Sequence, residues 1–237
     1  MSTDKSYLRA YIKTVGAPND KISDAIAKAK EVCADADFCV SEAYGDCTVE
    51  IIYAPDMPKS ALDGIMRAVL MVINDYVYAL EDITLAERFV QLLKLRKMRI
   101  SVAESFTGGG VGKKLVEVPG VSEVFFEGLN TYSNESKKMR LGVKETTLKQ
   151  YGAVSKQTAA EMAEGLIMTG NCDVSISTTG IAGPNSDNTN KPVGLFYIGI
   201  ATKENVQVYE YNLKGSRKSI TETAINFALF LAYKSIK

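Results

Sequence analysis

The stretch Val102-Ala-Glu-Ser-Phe-Thr-Gly-Gly-Gly110 constrains this chain more than any other. An apolar-leaning β segment, residues 98–103, runs into three glycines and then into a helical pattern. Such a strand-to-helix junction belongs to α/β architecture, and it puts Ser105 where a hydroxyl can stand clear of a sheet. The free N–H groups of a helix start carry partial positive charge and suit an anion or a developing oxyanion. Glycines without Cβ atoms let a ligand approach the backbone. The same residues also suit a simple N-cap at Ser105 or Thr107 followed by a turn.

Around this junction the pattern divides in two near residue 83. Residues 7–14 read as a strand and 20–32 as a helix, with Ile22, Ile26 and Ala29 on one face. Residues 37–43 and 48–53 read as a hairpin around Gly45-Asp46, and 60–73 as a second helix. This makes a small α+β module over 1–83. From 84 onward strands and helices alternate. Thr84 with Glu87 forms a capping box for the first helix. Strands are expected at 98–103, 128–132, 174–178, 193–202 and 206–213. Helices are expected at 109–118, 134–141, 156–168 with Ser155 as cap, and 219–233 as an amphipathic closing helix. The fold class is therefore α/β, a layered sheet whose ligands gather at strand C-terminal ends.

Charge and cysteine content narrow the chemistry. Net charge is zero over 237 residues, yet residues 1–82 hold 8 basic against 14 acidic side chains, and the remainder 20 against 14. An acidic N-terminal module argues against nucleic-acid binding there. The chain has no histidine, and its four cysteines, Cys33, Cys39, Cys47 and Cys172, show no C-x-x-C spacing. A His- or Cys-based metal site and a histidine-based triad are both disfavoured, so neither metal nor cofactor is expected. No signal core or run of 18 apolar residues is present, and a reduced cytoplasmic setting is expected.

Three loops after three expected strands carry polar groups. The first holds Glu104, Ser105 and Thr107. The second is Tyr132-Ser-Asn-Glu-Ser-Lys137. The third runs from Thr178-Thr-Gly-Ile-Ala-Gly-Pro184 to Lys191-Pro-Val-Gly194. Without histidine, a serine nucleophile needs another base, and a partly desolvated lysine can serve. Lys137, in the first turn of its helix, fits that role, and Tyr132 could relay a proton or orient the amine. Each residue also has a plainer reading: lysine as a solvated charge, tyrosine as core or rim, the Thr-Gly loop as turn chemistry. Arg217 either meets a phosphate or simply sits at a helix start.

Taken together, Ala103-Glu-Ser-Phe-Thr-Gly-Gly109, Tyr132–Lys137, Tyr151-Gly-Ala-Val-Ser155, Thr179-Gly-Ile-Ala-Gly-Pro184 and Lys191-Pro-Val-Gly194 resemble the C-terminal domain of the CinA family, the nicotinamide-mononucleotide amidases (PncC). The resemblance implies hydrolysis of nicotinamide mononucleotide to nicotinate mononucleotide and ammonia, without a cofactor. It assigns catalysis to Ser105, Tyr132 and Lys137. Substrate binding is expected at Thr107, Gly108, Gly109, Thr179, Gly180, Gly183 and Arg217, with the oxyanion held by N–H groups around Thr107 to Gly109.

Residues 7–82 resemble the KH-like module that precedes this domain in longer members, although no G-x-x-G loop is present. The molybdopterin-binding-like domain of those members, and any pyrophosphatase activity tied to it, are expected to be absent. Departures fall at Phe106, where the family often has Cys or Leu, in the loop 185–190, and at Gly215-Ser-Arg217 in place of Gly-Asp-Arg. The expected partner is a small molecule, not nucleic acid or membrane, with the chain in a homo-oligomer. The competing expectation is a catalytically silent regulatory or protein-binding relative; a metal-dependent pyrophosphatase ranks last.

Overall fold

The computed structural model describes residues 7–185 and 190–237. The chain divides into two compact units, Met1–Thr84 and Leu85–Lys237.

The first unit runs β1 (Leu8–Val15), α1 (Asn19–Val32), β2 (Asp37–Ala43), β3 (Asp46–Tyr53), α2 (Lys59–Ile73) and β4 (Val77–Ala79). Its sheet has the order β2-β3-β1-β4 with antiparallel pairing throughout. That is the split βαβ, or ferredoxin-like, arrangement, a description the KH-like expectation did not contain. Alternation along the strands sends Ile12, Val49 and Ile51 into a core with Ile22, Ala25 and Ala29 of α1 and Ile65, Val69 and Ile73 of α2. The hairpin turn sits one residue earlier than the expected Gly45-Asp46. Tyr44 and Gly45 both take positive φ, 55° and 78°, as a two-residue turn matching strand twist requires. The three-residue β4 was not anticipated, because it is too short to show an alternation.

The second unit runs α3 (Leu85–Arg96), β5 (Ile100–Glu104), α4 (Gly110–Val116), β6 (Phe125–Asn130), α5 (Asn134–Leu141), α6 (Glu145–Tyr151), α7 (Lys156–Ile167), β7 (Val174–Gly180), β8 (Leu195–Thr202), β9 (Val206–Asn212) and α8 (Arg217–Ser235). The sheet order is β6-β5-β7-β8-β9. Strands β6, β5 and β7 are parallel, and β8 and β9 return antiparallel. Strand β5 is buried along its whole length and β7 over all but its last residue, as strands covered on both faces must be. Helix α7 lies close enough for Ser175 and Ser177 to donate to the carbonyls of Ala163 and Ala159. Helix α8 buries residues around much of its girth, from Ile220 to Tyr233. It is an internal helix, not the one-striped amphipathic helix expected. The short α6 was missed because its seven residues bury only Thr147. Among the described residues, no helix is long and apolar enough to cross a membrane.

Because β6 and β7 flank β5 on opposite sides, the chain changes direction beside β5. The crevice at such a switch point, outside the strand C-terminal ends, is where an open α/β sheet offers room for a ligand.

Candidate active site

Three strand ends converge there. Ser105 follows β5, Thr131 and Tyr132 follow β6, and Thr178 to Gly180 end β7. Main-chain bonds stitch them together: the Ser105 N–H donates to the Thr178 carbonyl at 3.0 Å, and the Thr131 N–H to the Glu104 carbonyl at 2.8 Å. The Thr107 and Thr178 hydroxyls lie 2.6 Å apart in a buried contact.

Into this frame α5 delivers Lys137. The helix spans the expected residues 134–141 and is capped by Ser133, whose Oγ accepts from the Ser136 N–H at 3.0 Å. That start turns Lys137 inward, and only 1% of it is exposed. Its Nζ lies 3.0 Å from Ser105 Oγ, 2.7 Å from the Thr131 carbonyl and 3.2 Å from the Tyr132 carbonyl. Burial disfavours the ammonium form and lowers the Lys137 pKa from 10.5 to about 8. A neutral amine has two N–H donors and one lone pair. With two carbonyls and one hydroxyl around it, the carbonyls take the donors and the lone pair is left for the Ser105 O–H. The arrangement can therefore deprotonate Ser105 without histidine.

The glycines after Ser105 differ in purpose. Gly108 and Gly109 have φ of +64° and +96°, with nothing within 4 Å of a built Cβ; left-handed backbone needs glycine there, and the space beside them is open. Gly110 instead packs under Ile225, which a Cβ would overlap.

Of the N–H groups expected to hold an oxyanion, around Thr107 to Gly109, two are engaged within the turn. The Gly108 N–H donates to the Ser105 carbonyl and the Gly110 N–H to the Thr107 carbonyl. The Gly109 N–H donates to Glu104 Oε2 at 3.1 Å. Gly108 and Gly109 are thus engaged. Among the described residues, the N–H groups of Phe106 and Thr107 remain beside Ser105 without an acceptor.

The other expected residues divide. The Thr179 hydroxyl is buried and donates to the Ala153 carbonyl at 2.7 Å. Gly180 allows close packing on Phe196, and Gly183 (φ +80°) close packing on Val193. All three shape the loop from inside. Arg217 is exposed, and its Nη1 donates to the Gly183 carbonyl at 2.9 Å, which ties the start of α8 to that loop. Tyr132 is 65% exposed; its link to Lys137 runs through its carbonyl.

Of the departures, Phe106 is buried and stacks on Phe196 at 5.4 Å between centroids. Ser216 caps α8 by accepting from the Ser219 N–H, a task Asp performs equally well. Residues 186–189 of the loop 185–190 lie outside the described residues. Two contributors carried no assigned role: the Thr131 carbonyl, which no side-chain pattern reveals, and Glu104, an acidic residue at the end of a buried strand.

Residues 82–236 match the CinA C-terminal domain, and the chain belongs to that family. A competence-damage inducible protein of Caldicellulosiruptor saccharolyticus is 45% identical over 178 residues, covering 75% of this chain and 43% of that protein. One from Clostridium botulinum strain Langeland is 35% identical over 229 residues, 95% of this chain and 56% of that protein. The chain therefore spans about half the length of these relatives. Among solved structures it is similar to the competence/damage inducible protein CihA of Agrobacterium tumefaciens, with 35% identity, TM-score 0.61, and coverage of 63% of this chain and 93% of that one. A CinA superfamily protein of Escherichia coli gives 30% identity and TM-score 0.60, covering 62% and 85%.

Proposed function

We propose that this CinA-family protein is an amidohydrolase that converts nicotinamide mononucleotide to nicotinate mononucleotide and ammonia, with Ser105 as nucleophile and Lys137 as base. The observation that carries the reading is the 3.0 Å approach of a fully buried lysine amine to Ser105 Oγ, its other contacts being two carbonyl oxygens. A structural lysine gains little from such a place, since burying an ammonium is costly. A catalytic base needs a depressed pKa, which this place provides.

In the proposed first step Lys137 Nζ takes the Ser105 proton as Oγ bonds to the carboxamide carbon. The resulting oxyanion lies against the N–H groups of Phe106 and Thr107. Lys137 then gives its proton to the departing nitrogen as the C–N bond breaks, and ammonia leaves. Water, losing a proton to the regenerated amine, attacks the acyl-serine ester. The acid is released and Ser105 Oγ recovers a proton from Lys137. The open space beside Gly108 and Gly109 supports entry of a small amide from that side.

Ammonia release from nicotinamide mononucleotide tests the assignment. Wild-type protein should release it, and folded Ser105→Ala and Lys137→Ala proteins should not. An inactive, properly folded wild type would overturn it in favour of a regulatory relative that kept the fold.

A further inference from the structure

The start of α4 has already been given an anion, and it belongs to the protein. The Glu104 carboxylate accepts from the N–H groups of Gly109 at 3.1 Å, Val111 at 3.0 Å and Gly112 at 2.8 Å. Glu104 is 2% exposed, and no other Asp or Glu is buried among the described residues. No lysine or arginine pairs with it there. A buried carboxylate without a cation is costly unless donors surround it, and here three charge-assisted N–H bonds and a helix end supply the compensation. The positive end of α4 is thereby neutralised from within. It is closed to substrate, although it follows the nucleophile directly.

We propose that Glu104 is a positioning residue that clamps the turn 105–112, so that the N–H groups of Phe106 and Thr107, and not the helix start, receive the developing negative charge. This rests on Ser105 being the nucleophile, and it adds the residue that sets the direction of attack. The turn is held on two sides. Glu104 grips it through three amides, while the Phe106 ring is fixed in a stack on Phe196 and, through it, Tyr211. Between these anchors residues 105–107 have little freedom, which is what preorganised donors require.

Glu104→Gln tests the clamp. A glutamine offers one acceptor oxygen and an NH2 group, so at least one of the three amides faces another donor and the turn loosens. The readout is phosphonylation of Ser105 by a fluorophosphonate, which needs an activated serine and oxyanion donors but no particular amide. The expected result is a fall of about 10²-fold in phosphonylation and in kcat for ammonia release, with KM within about threefold. The inflection assigned to Lys137 should stay near pH 8. Glu104→Asp keeps the charge but is too short to hold all three amides, and should lose about tenfold in phosphonylation.

Wild-type phosphonylation rates in either folded variant would overturn the proposal. So would a moved inflection, which would make Glu104 an electrostatic partner of Lys137. An unlabelled wild type would instead remove the serine-nucleophile reading itself.

Discussion

The two units bury different kinds of side chain. In the first, among the described residues, the buried polar atoms are few: the Thr14 hydroxyl, which donates to the Cys47 carbonyl, the Cys47 thiol, and the Tyr78 phenol, which donates to Asp46. In the second, Ser101, Glu104, Ser105, Thr107, Thr131, Lys137 and several further polar residues are buried. An apolar core stabilises its fold by removing carbon surface from water, and it does so most effectively without polar atoms. Among the described residues, about half of the second unit's buried polar residues lie around the C-terminal ends of β5, β6 and β7, where most find hydrogen-bond partners and the Thr131 hydroxyl does not. Polar burial of this kind gives up stability that packing would supply, and a reactive site is the use proposed for it here. The proposed nucleophile and base both lie in the second unit.

That contrast can be broken most decisively at Ser105. Ser105→Ala removes one oxygen and no packing, so it should cut ammonia release by at least about 10⁴-fold, measured as kcat/KM, with little change in melting temperature. The counterpart in the first unit is Ile51→Ala. Ile51 is wholly buried, and its truncation should cost about 2–5 kcal/mol in urea unfolding of that unit, while kcat per folded molecule stays at the wild-type level. If Ile51→Ala altered kcat in fully folded protein, the proposal that the second unit alone carries the reaction would fail.

The polar burial should also show as a pH effect on stability. Lys137 has a folded-state pKa of about 8 against 10.5 when unfolded. Between those values the unfolded chain holds a proton that the native protein has released, so native stability rises with pH. The penalty of protonating the buried amine is fully present below pH 8 and is relieved above 10.5. Relative to Lys137→Met, which cannot titrate, the wild type should gain about 3 kcal/mol across that window. Urea titrations of both proteins at pH 7 and pH 10.5 measure the difference; parallel stabilities would mean that the amine is charged throughout.

The strands and helices of both units were largely legible because their burial is periodic or continuous: Ile12, Val49 and Ile51 lie on one face, β5 is an apolar-leaning run, and β7 begins with Val174 and Ile176 alternating with serines. What escaped had no such period. Strand β4 is three residues long and α6 is mostly polar. At the candidate site, the absence of histidine pointed to a serine with a lysine base, and the family resemblance assigned these roles to Ser105 and Lys137, which the structure brings within 3.0 Å. Their partners were not legible. The Thr131 and Tyr132 carbonyls that orient the amine are main-chain atoms carried by every residue, so no side-chain motif marks them. That the Gly108 and Gly109 N–H groups are engaged was hidden for a related reason. A helix start next to a glycine run looks available in sequence, and only the side-chain direction of Glu104 shows that its N–H groups are occupied.

Tyr132 is the finest test of the same distinction between side chain and main chain. Its motif position implies a catalytic phenol, yet the residue is 65% exposed and its carbonyl is the group that reaches Lys137. Removing the hydroxyl with Tyr132→Phe leaves that carbonyl in place. If the phenol positioned the amine, its loss would let Lys137 shift or hydrate, and the pH inflection would climb toward the ordinary lysine range. If the carbonyl does so, the inflection stays near 8 and kcat remains within about tenfold of wild type, any larger loss falling on KM through substrate contact. A pH series of kcat and kcat/KM for Tyr132→Phe separates the two. An upward move of one unit in the inflection would return the tyrosine to the proton path and make its exposure a feature of the ligand-free site alone.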